Sequence, residues 1–589
     1  MAVLNNTQFS FLKLTLEFQK GSDRGPEFST LEHMGPHIVM GFHRLAINGL
    51  NVSSHQPLTI DGVSLVCNGE IYNYRELYAM LGVQPHTESD CEVIIHLFLR
   101  YGFEQTMQMI DGEFAFVLYD RRSKCDTAAC EKNKEGTVYI ARDPYGVRPL
   151  YIYESLEDNM IAVASELKVL TGFTHKQLAF GLNDYIDAFE DAQHTKQIGI
   201  VHQFVPGTFS QYTIVQGVCT SWSPVAKNTT YHTMGITDTY QTKPKLTLNM
   251  LKGIRETFIS AVEKRCSSTQ RPIACLLSGG LDSSLVASIV SAYQRKHGLP
   301  PIETYSIGLA ESEDLRYASR VAKHLGTKHT ELVVLERDFL EAIPKVVAAI
   351  ESYDTTTVRA SIGNYLIGRY ISQNSDAKVV FNGDGADEVM GGYLYMGACP
   401  DAIEYDKETR RLLKEIHTFD VLRSDKCIAS HGLEPRTPFL DRAFVQHYLS
   451  ISPAVRKHAH DTYGEKNLMR RAFAAEMTFD DKPFLPTSVL WRRKEAFSDG
   501  VSKTSRSLYE IIREHTDSML LSRNYASYTH NIPTTSEQLY YRTLFDAAYP
   551  DCGHLIPHFW MPKYVDASDA SARTLALYSK GTPVPNLAL

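Results

Sequence analysis

The chain has 589 residues, more than one typical domain holds, so two or more domains are expected. Hydrophobic content of 43% and charged content of 22% are ordinary for a globular protein, with enough apolar material for a core in each domain. A net charge of −8 and no dense Lys/Arg run speak against nucleic-acid binding.

The opening stretch, MAVLNNTQFSFLKLTLEFQK, has no basic leader region, and Lys13 and Glu17 interrupt its apolar run, so it does not read as a secretory signal. No run of about eighteen apolar residues follows, so no membrane span is expected and a cytoplasmic location is the default. Alternation at Leu12, Leu14, Leu16 and Phe18 predicts a strand. Up to about residue 215 the apolar residues come in short groups (HIVMGFHRLAI, VSLVCNGEIY, EFAFVLYD, TVYIAR, LYIY, IAVAS), with Asp-Gly turns at 61–62 and 111–112. This texture predicts an α+β domain over 1–215 in which sheets stack with a few helices, one near Cys91 to Tyr101. The 10 cysteines are too sparse for a disulfide framework, and Cys67, Cys91 and Cys275 sit where a thiol packs as a small hydrophobe. Cys125 and Cys130 lie in a polar segment without a second ligand pair, which reads as a variable loop rather than a zinc site. Residues 216–245 are polar and weakly patterned, as a linker would be.

From about 246 to the end the pattern becomes strand–helix alternation. PIACLL, TYSIGL, ELVVL and KVVFNG are strands, with helices between them, and the chain beyond 400 is mainly helical. Such alternation predicts an α/β domain with a parallel sheet, which binds ligands at the carboxyl ends of its strands.

Directly after PIACLL stands Ser278-Gly-Gly-Leu-Asp-Ser-Ser284, and a helix follows. A strand end, Gly279, Gly280 and a helix start expose backbone N–H groups that can cradle phosphates. Asp282 offers a hard oxygen for Mg²⁺, and Ser278, Ser283 and Ser284 offer hydroxyls. A second acidic run, Gly383-Asp-Gly-Ala-Asp-Glu388, follows KVVFNG. A parallel sheet would bring it to the same edge, where Asp282 and Asp387 could hold the metal jointly. SGGLDSS resembles the pyrophosphate loop of ATP pyrophosphatases, which cut ATP between the α and β phosphates.

Several further motifs, in order, resemble the asparagine synthetase family over about residues 24–580. They are Glu351-Ser-Tyr-Asp-Thr-Thr-Thr-Val-Arg-Ala-Ser361, the segment Phe419-Asp-Val-Leu-Arg-Ser-Asp-Lys on to FLD at 439–441, Glu465-Lys466-Asn-Leu-Met-Arg470, LWRRKEAFSDG at 490–500 and FWMPKYVDASDASARTL at 559–575. The resemblance implies ATP-dependent amidation of aspartate through a β-aspartyl adenylate. It implies ATP contacts at Leu276, the Ser278–Ser284 loop, Ile307, Asn382 and Gly383. It implies aspartate contacts at Thr356, Thr357 and Arg359, a bidentate carboxylate grip being the natural use of the arginine. Lys466 would stabilise charge at the α-phosphate and acyl centre. Asp384 stands where the family commonly has Glu, thought to accept a proton from attacking ammonia or to orient it.

The first domain resembles the glutaminase domain of class II amidotransferases, an N-terminal-nucleophile hydrolase fold. Arg44 would pair with the glutamine carboxylate, Asn68 and Gly69 with the oxyanion, and Glu70 and Asp90 with the ammonium group. That family starts Met-Cys-Gly-Ile, whereas this chain starts Met1-Ala2-Val3-Leu4, and none of its cysteines precedes Cys67. Glutamine hydrolysis is therefore in doubt, and nitrogen could come from ammonia or from glutamine. Pairing of glutaminase domains in the family implies a homodimer. β-Lactam synthetases, which share the architecture, and a non-catalytic paralogue are the competing readings.

Overall fold

The computed structural model describes residues 1–35, 37–122, 136–157, 159–177, 195–215, 221–235, 245–458, 464–474, 476–478, 480–492, 500–502, 506–519 and 528–571. Cys125 and Cys130 lie outside them. The chain divides into two compact units, one of Met1–His232 with Tyr549–Leu555, the other of Thr233–Ala548 with Ile556–Leu589.

In the first unit, strands β1 (Ala2–Leu4), β2 (Phe28–Gly35), β3 (Ile38–Arg44), β4 (Leu58–Ile60), β5 (Val63–Ile71), β6 (Gly112–Asp120), β7 (Thr137–Arg142), β8 (Tyr151–Ser155) and β9 (Ile161–Ala164) come first. A short pair, β10 (His175–Gln177) and β11 (Thr195–Gln197), precedes β12 (Gly199–Gln203), β13 (Thr208–Val215) and β14 (Ser221–Thr230). Apart from the β10–β11 pair, which is a sheet of its own, they form two antiparallel six-stranded sheets, β12-β8-β9-β1-β3-β2 and β14-β13-β7-β6-β5-β4. Alternation along the strands sends successive side chains to opposite faces. Ala115 and Val117 of β6 join Ala2, Leu4, Met40 and Val163 in the core between the sheets, while Phe114, Phe116 and Leu118 face the other way. There they pack against helices α2 (Tyr74–Leu81), α3 (Val93–Tyr101) and α4 (Phe103–Met109).

The alternating apolar run at 12–18 is not a strand. Phe11–Gln19 is helix α1, capped by the Ser10 hydroxyl, which accepts the Lys13 N–H. Leu14 and Phe18, one turn apart, are buried, whereas Leu12 and Leu16 are 68% and 58% exposed. The sheet has no vacancy for this segment, because Ala2–Leu4 already bonds β3 on one side and β9 on the other. The linker expected at 216–245 is likewise cut short. Ser221–Thr230 pairs with β13, and the buried Trp222 donates its N–H to Asn5 Oδ1 at 2.7 Å. Trp222 is the only large buried apolar side chain of that strand, so no period-2 pattern announces it.

The second unit is built on a five-stranded sheet, all parallel, in the order β17 (Lys328–Val334), β16 (Glu303–Leu309), β15 (Ile273–Leu276), β18 (Val379–Phe381), β19 (Glu434–Arg436). Helices α5 (Leu248–Ser267), α6 (Leu281–Lys296), α7 (Glu313–Leu325), α8 (Glu336–Ile350) and α9 (Thr355–Asn374) alternate with its strands. The mainly helical continuation includes α10 (Ala386–Met390), α11 (Ala402–Glu415), α12 (Asp420–Ala429), α13 (Arg442–Ser450), α14 (Pro453–Arg456), α15 (Asn467–Phe473), α16 (Thr487–Leu490), α17 (Leu508–Ser518) and α18 (Ser536–Ala548). Among the described residues no helix is long and apolar enough to cross a membrane.

Candidate active site

In the second unit, Cys275 of β15 stands level with Phe381 of β18, so the loops that follow the two strands leave the sheet at one edge. They meet there. A Cβ on Gly383 would lie 2.8 Å from Ser283 N and 2.9 Å from Asp282 Cβ, a contact that only glycine allows. The first loop is braced from within: Ser283 Oγ takes the Ser278 N–H at 3.2 Å and lies 3.0 Å from Ser278 Oγ. Arg492 braces it from outside, donating to Ser278 O at 3.3 Å and Asp314 at 2.9 Å while stacking over Tyr317. In the second loop Asn382 donates to Ser424 Oγ at 2.6 Å, and its own oxygen accepts the Asp384 N–H at 3.2 Å.

Leu276, Ser278, Gly280, Asp282, Ser283, Ile307, Asn382, Gly383, Asp384, Asp387 and Lys466 all line one pocket at this edge. Two residues of the expected phosphate loop do not. Gly279 turns towards α7 with a φ of +69°, where a Cβ would meet Ala318 N at 2.4 Å, and Ser284 is fully buried in the first turn of α6. Their part is to shape the turn.

Lys466 precedes α15 in a left-handed backbone conformation (φ 56°), uncommon for a lysine. Its side chain is 1% exposed, and its ammonium sits 2.6 Å from Asp387 Oδ1 and against Asp282 Oδ2. Gly392 makes room for it, since a Cβ there would meet Lys466 Cε at 2.1 Å. Asp282 and Asp387 thus converge on one cation already, and their hard oxygens suit Mg²⁺, which characteristically takes one or two carboxylates and completes its octahedron with phosphate and water oxygens.

Beside Asp384 lies a group that the motifs did not single out. Arg423 contacts Asp420, one helical turn before it on α12, and lies 3.5 Å from Asp384. Tyr393 donates to Glu388 and stands 3.3 Å from Asp420. Burial, with Asp420 and Asp387 nearby, pushes the Glu388 carboxyl well above the usual range. Against its own burial, Asp420 is held low by the Arg423 guanidinium. The two carboxyls are thus pushed in opposite directions. The Asp-x-x-Arg spacing of 420–423 on a helix was the available signal.

The aspartate contacts expected on α9 separate. Thr356 lines the pocket, and its buried hydroxyl has no hydrogen-bond partner among the described residues. Thr357 is consumed at the helix start, where both its N–H and its hydroxyl donate to the N-cap Asp354 at 2.8 and 2.7 Å. Arg359 departs furthest from its expected place. It is buried outside the pocket lining, and its guanidinium is spent on two carboxylates, Glu537 at 2.8 and 2.6 Å and Asp569 at 2.7 and 2.9 Å. Tyr509 covers its face at 4.7 Å. A bidentate grip on a substrate carboxylate would require breaking one of these pairs.

In the first unit the expected glutamine contacts cluster at the ends of β3 and β5. Arg44 is buried, donating to Asn51 O at 3.0 Å and to Gly49 O. Glu70 accepts from Asn48 at 2.5 Å, and Asp90 accepts the Ile71 N–H at 2.6 Å. Gly69 has a φ of +144°, and a Cβ there would strike Glu113 O at 2.0 Å. Asn68 donates to Ser165 at 2.9 Å, just past β9, whose Val163 faces Ala2. The head of β1 therefore lies near Asn68, and its side chain is the methyl of Ala2, 3% exposed in the core between the sheets. Cys67 is 1% exposed and packs on the opposite face with the helices.

A parallel sheet with facing glycine and acidic loops defines an ATP-using synthetase unit, carried in one chain with a stacked-sheet unit of the amidotransferase type. The asparagine synthase family profile matches residues 253–403 and 398–572, and a glutamine amidotransferase domain profile matches 5–222. The chain is 37% identical over 576 residues to an asparagine synthetase [glutamine-hydrolyzing] of Gallus gallus, covering 96% of each chain. The enzymes of the same name from Cricetulus griseus and Homo sapiens are each 36% identical over 578 residues, again with 96% of each chain covered. The chain belongs to the asparagine synthase family.

Proposed function

We propose that this protein is a carbon–nitrogen ligase that makes asparagine from aspartate, ATP and ammonia. The observation that carries the reading is the junction of the Ser278–Ser283 and Gly383–Asp387 loops around Lys466 at one sheet edge. The triphosphate lies along the first loop, on backbone N–H groups and the Ser278 and Ser283 hydroxyls. The aspartate β-carboxylate attacks the α-phosphorus and pyrophosphate leaves; ammonia then displaces AMP from the β-aspartyl adenylate. Asp282 and Asp387 would hold Mg²⁺, which when bound neutralises phosphate charge. Lys466, freed from the two carboxylates, offers its ammonium to charge growing on the α-phosphate and the acyl centre. Asp384 takes the proton that ammonia sheds on attack, or orients the nucleophile.

Nitrogen enters as ammonia because the residue at the head of β1 is Ala2, which has no thiol to attack an amide, and Cys67 is turned towards the helices. The test is asparagine, AMP and pyrophosphate formation from aspartate and ATP, with ammonium or glutamine as the nitrogen source. Product is expected with ammonium and not with glutamine, and no pyrophosphate with N-carboxyethyl amino acids. Absence of AMP at saturating ammonium would defeat the synthetase reading, and equal rates from glutamine would defeat the ammonia assignment. Amino-terminal sequencing of the native protein checks which residue heads β1.

A further inference from the structure

With Arg359 enclosed by Glu537 and Asp569, the α-carboxylate of the amino-acid substrate needs another cation. The described pocket lining offers Arg423, Lys466, Arg470 and Arg492. Lys466 belongs to the phosphate end, and Arg470 is tied to Glu465 and to Leu490 O. Arg492 braces the glycine loop through Ser278 O and Asp314. Arg423 differs from these. Its two ion pairs, to Asp420 and Asp384, both run through Nη2. A guanidinium has five N–H donors in a flat fork, so the N–H groups of Nε and Nη1, which lie on different edges of that fork, remain, and either can donate singly to a carboxylate.

Arg423 also lies at the right end of the pocket. Its helix packs on α9, with Cys427 Sγ 3.6 Å from Ser361 O, and Thr356 of α9 brings its unpartnered buried hydroxyl to the same lining. Asp384, Asp420 and Glu388 line this end as well, so a second carboxylate would meet a wall of acidic groups without a guanidinium to receive it.

We infer that Arg423, assisted by the Thr356 hydroxyl, receives the substrate α-carboxylate and so determines the preference for aspartate. This rests on the aspartate-adenylating reading above.

The test compares aspartate with β-alanine, which is aspartate without its α-carboxylate, by the kcat/KM of substrate-dependent pyrophosphate release. A site built around that carboxylate should prefer aspartate by roughly 10⁴-fold. Arg423→Gln should bring the preference to within about 10-fold, chiefly by lowering the aspartate value, with the KM for ATP unchanged. Arg423→Lys should restore part of it, and Thr356→Val should weaken it by about 10-fold, which keeps the test open should the Gln variant fold poorly. An unchanged preference in folded Arg423→Gln or Arg423→Lys overturns the inference alone. So does its collapse in Arg359→Gln with Arg423 intact. Wild-type enzyme that releases no pyrophosphate with aspartate overturns the functional reading, and the inference with it.

Discussion

At the scale of single residues, two side chains bear on the proposed nitrogen chemistry. Asp384 carries a carboxylate one methylene shorter than the family's usual glutamate, and its reach is set by the Asn382 contact to its N–H and by Arg423 at 3.5 Å. General acid–base catalysis contributes on the order of 10²–10⁴ in rate. Asp384→Ala is therefore expected to slow ammonia-dependent asparagine formation by about that factor while pyrophosphate release falls much less. An Ala variant as active as the parent would remove Asp384 from the mechanism. Cys67 is the other. It follows Val66 in β5 and immediately precedes Asn68, yet the period of two turns it towards Cys91 and the helical layer. The hydrogen bond to Cys67, together with burial, holds the Cys91 thiol well above its usual range, so Cys91 is not poised as a thiolate. Cys67→Ala is expected to leave the ammonium and glutamine dependences unchanged; loss of a glutamine-dependent rate in that variant would identify a replacement nucleophile.

At the scale of elements, α9 shows how one helix serves two purposes. Its N-terminus is fixed by Asp354, which caps Thr357 and also accepts the Trp560 N–H at 2.7 Å. Trp560 packs against Tyr393, whose ring lines the pocket. One turn on, Arg359 ties the same helix to Glu537 at the start of α18 and to Asp569 near the end of the described chain. The side chains of Arg359, Glu537 and Asp569 are 3%, 4% and 14% exposed. Removing one partner of a buried ion pair leaves an uncompensated charge and costs about 3–5 kcal/mol. Arg359→Met should destabilise the protein by about that amount in denaturant unfolding, and adding Glu537→Gln should recover part of the loss. A midpoint that does not move would mean that this contact is no fastening. Helix α1 makes the opposite point about elements. Its alternating leucines suit a strand, but the Ser10 cap and the Leu14/Phe18 pair produce a helix once the sheet position is occupied.

For the whole molecule, the strand–loop–helix grammar of the second unit was readable because each signal is local. An apolar run ends, two glycines follow, and an amphipathic helix begins. Level register of parallel strands then brings distant loops together without further information. Thus Ser278, Asp282, Ser283, Gly383 and Asp387 could be grouped from sequence although they span more than one hundred residues. The orientation of a side chain on a helix packed on several sides could not. Thr356, Thr357 and Arg359 form one motif, but they divide among pocket, cap and ion pair. That division depends on Glu537 and Asp569, 178 and 210 residues away from Arg359. Asp420 and Arg423 were hidden for the same reason: an Asp-x-x-Arg pair reads as a solvated helix face until the fold turns it to the pocket. Sequence by itself determined the parallel sheet and the glycine and acidic loops that follow its strands, since these come from periodicity and backbone freedom along short stretches. Only the tertiary structure decided which guanidinium is spent on the protein's own carboxylates and which keeps donors for a ligand, because charge pairing depends on distances between segments that the chain order does not contain.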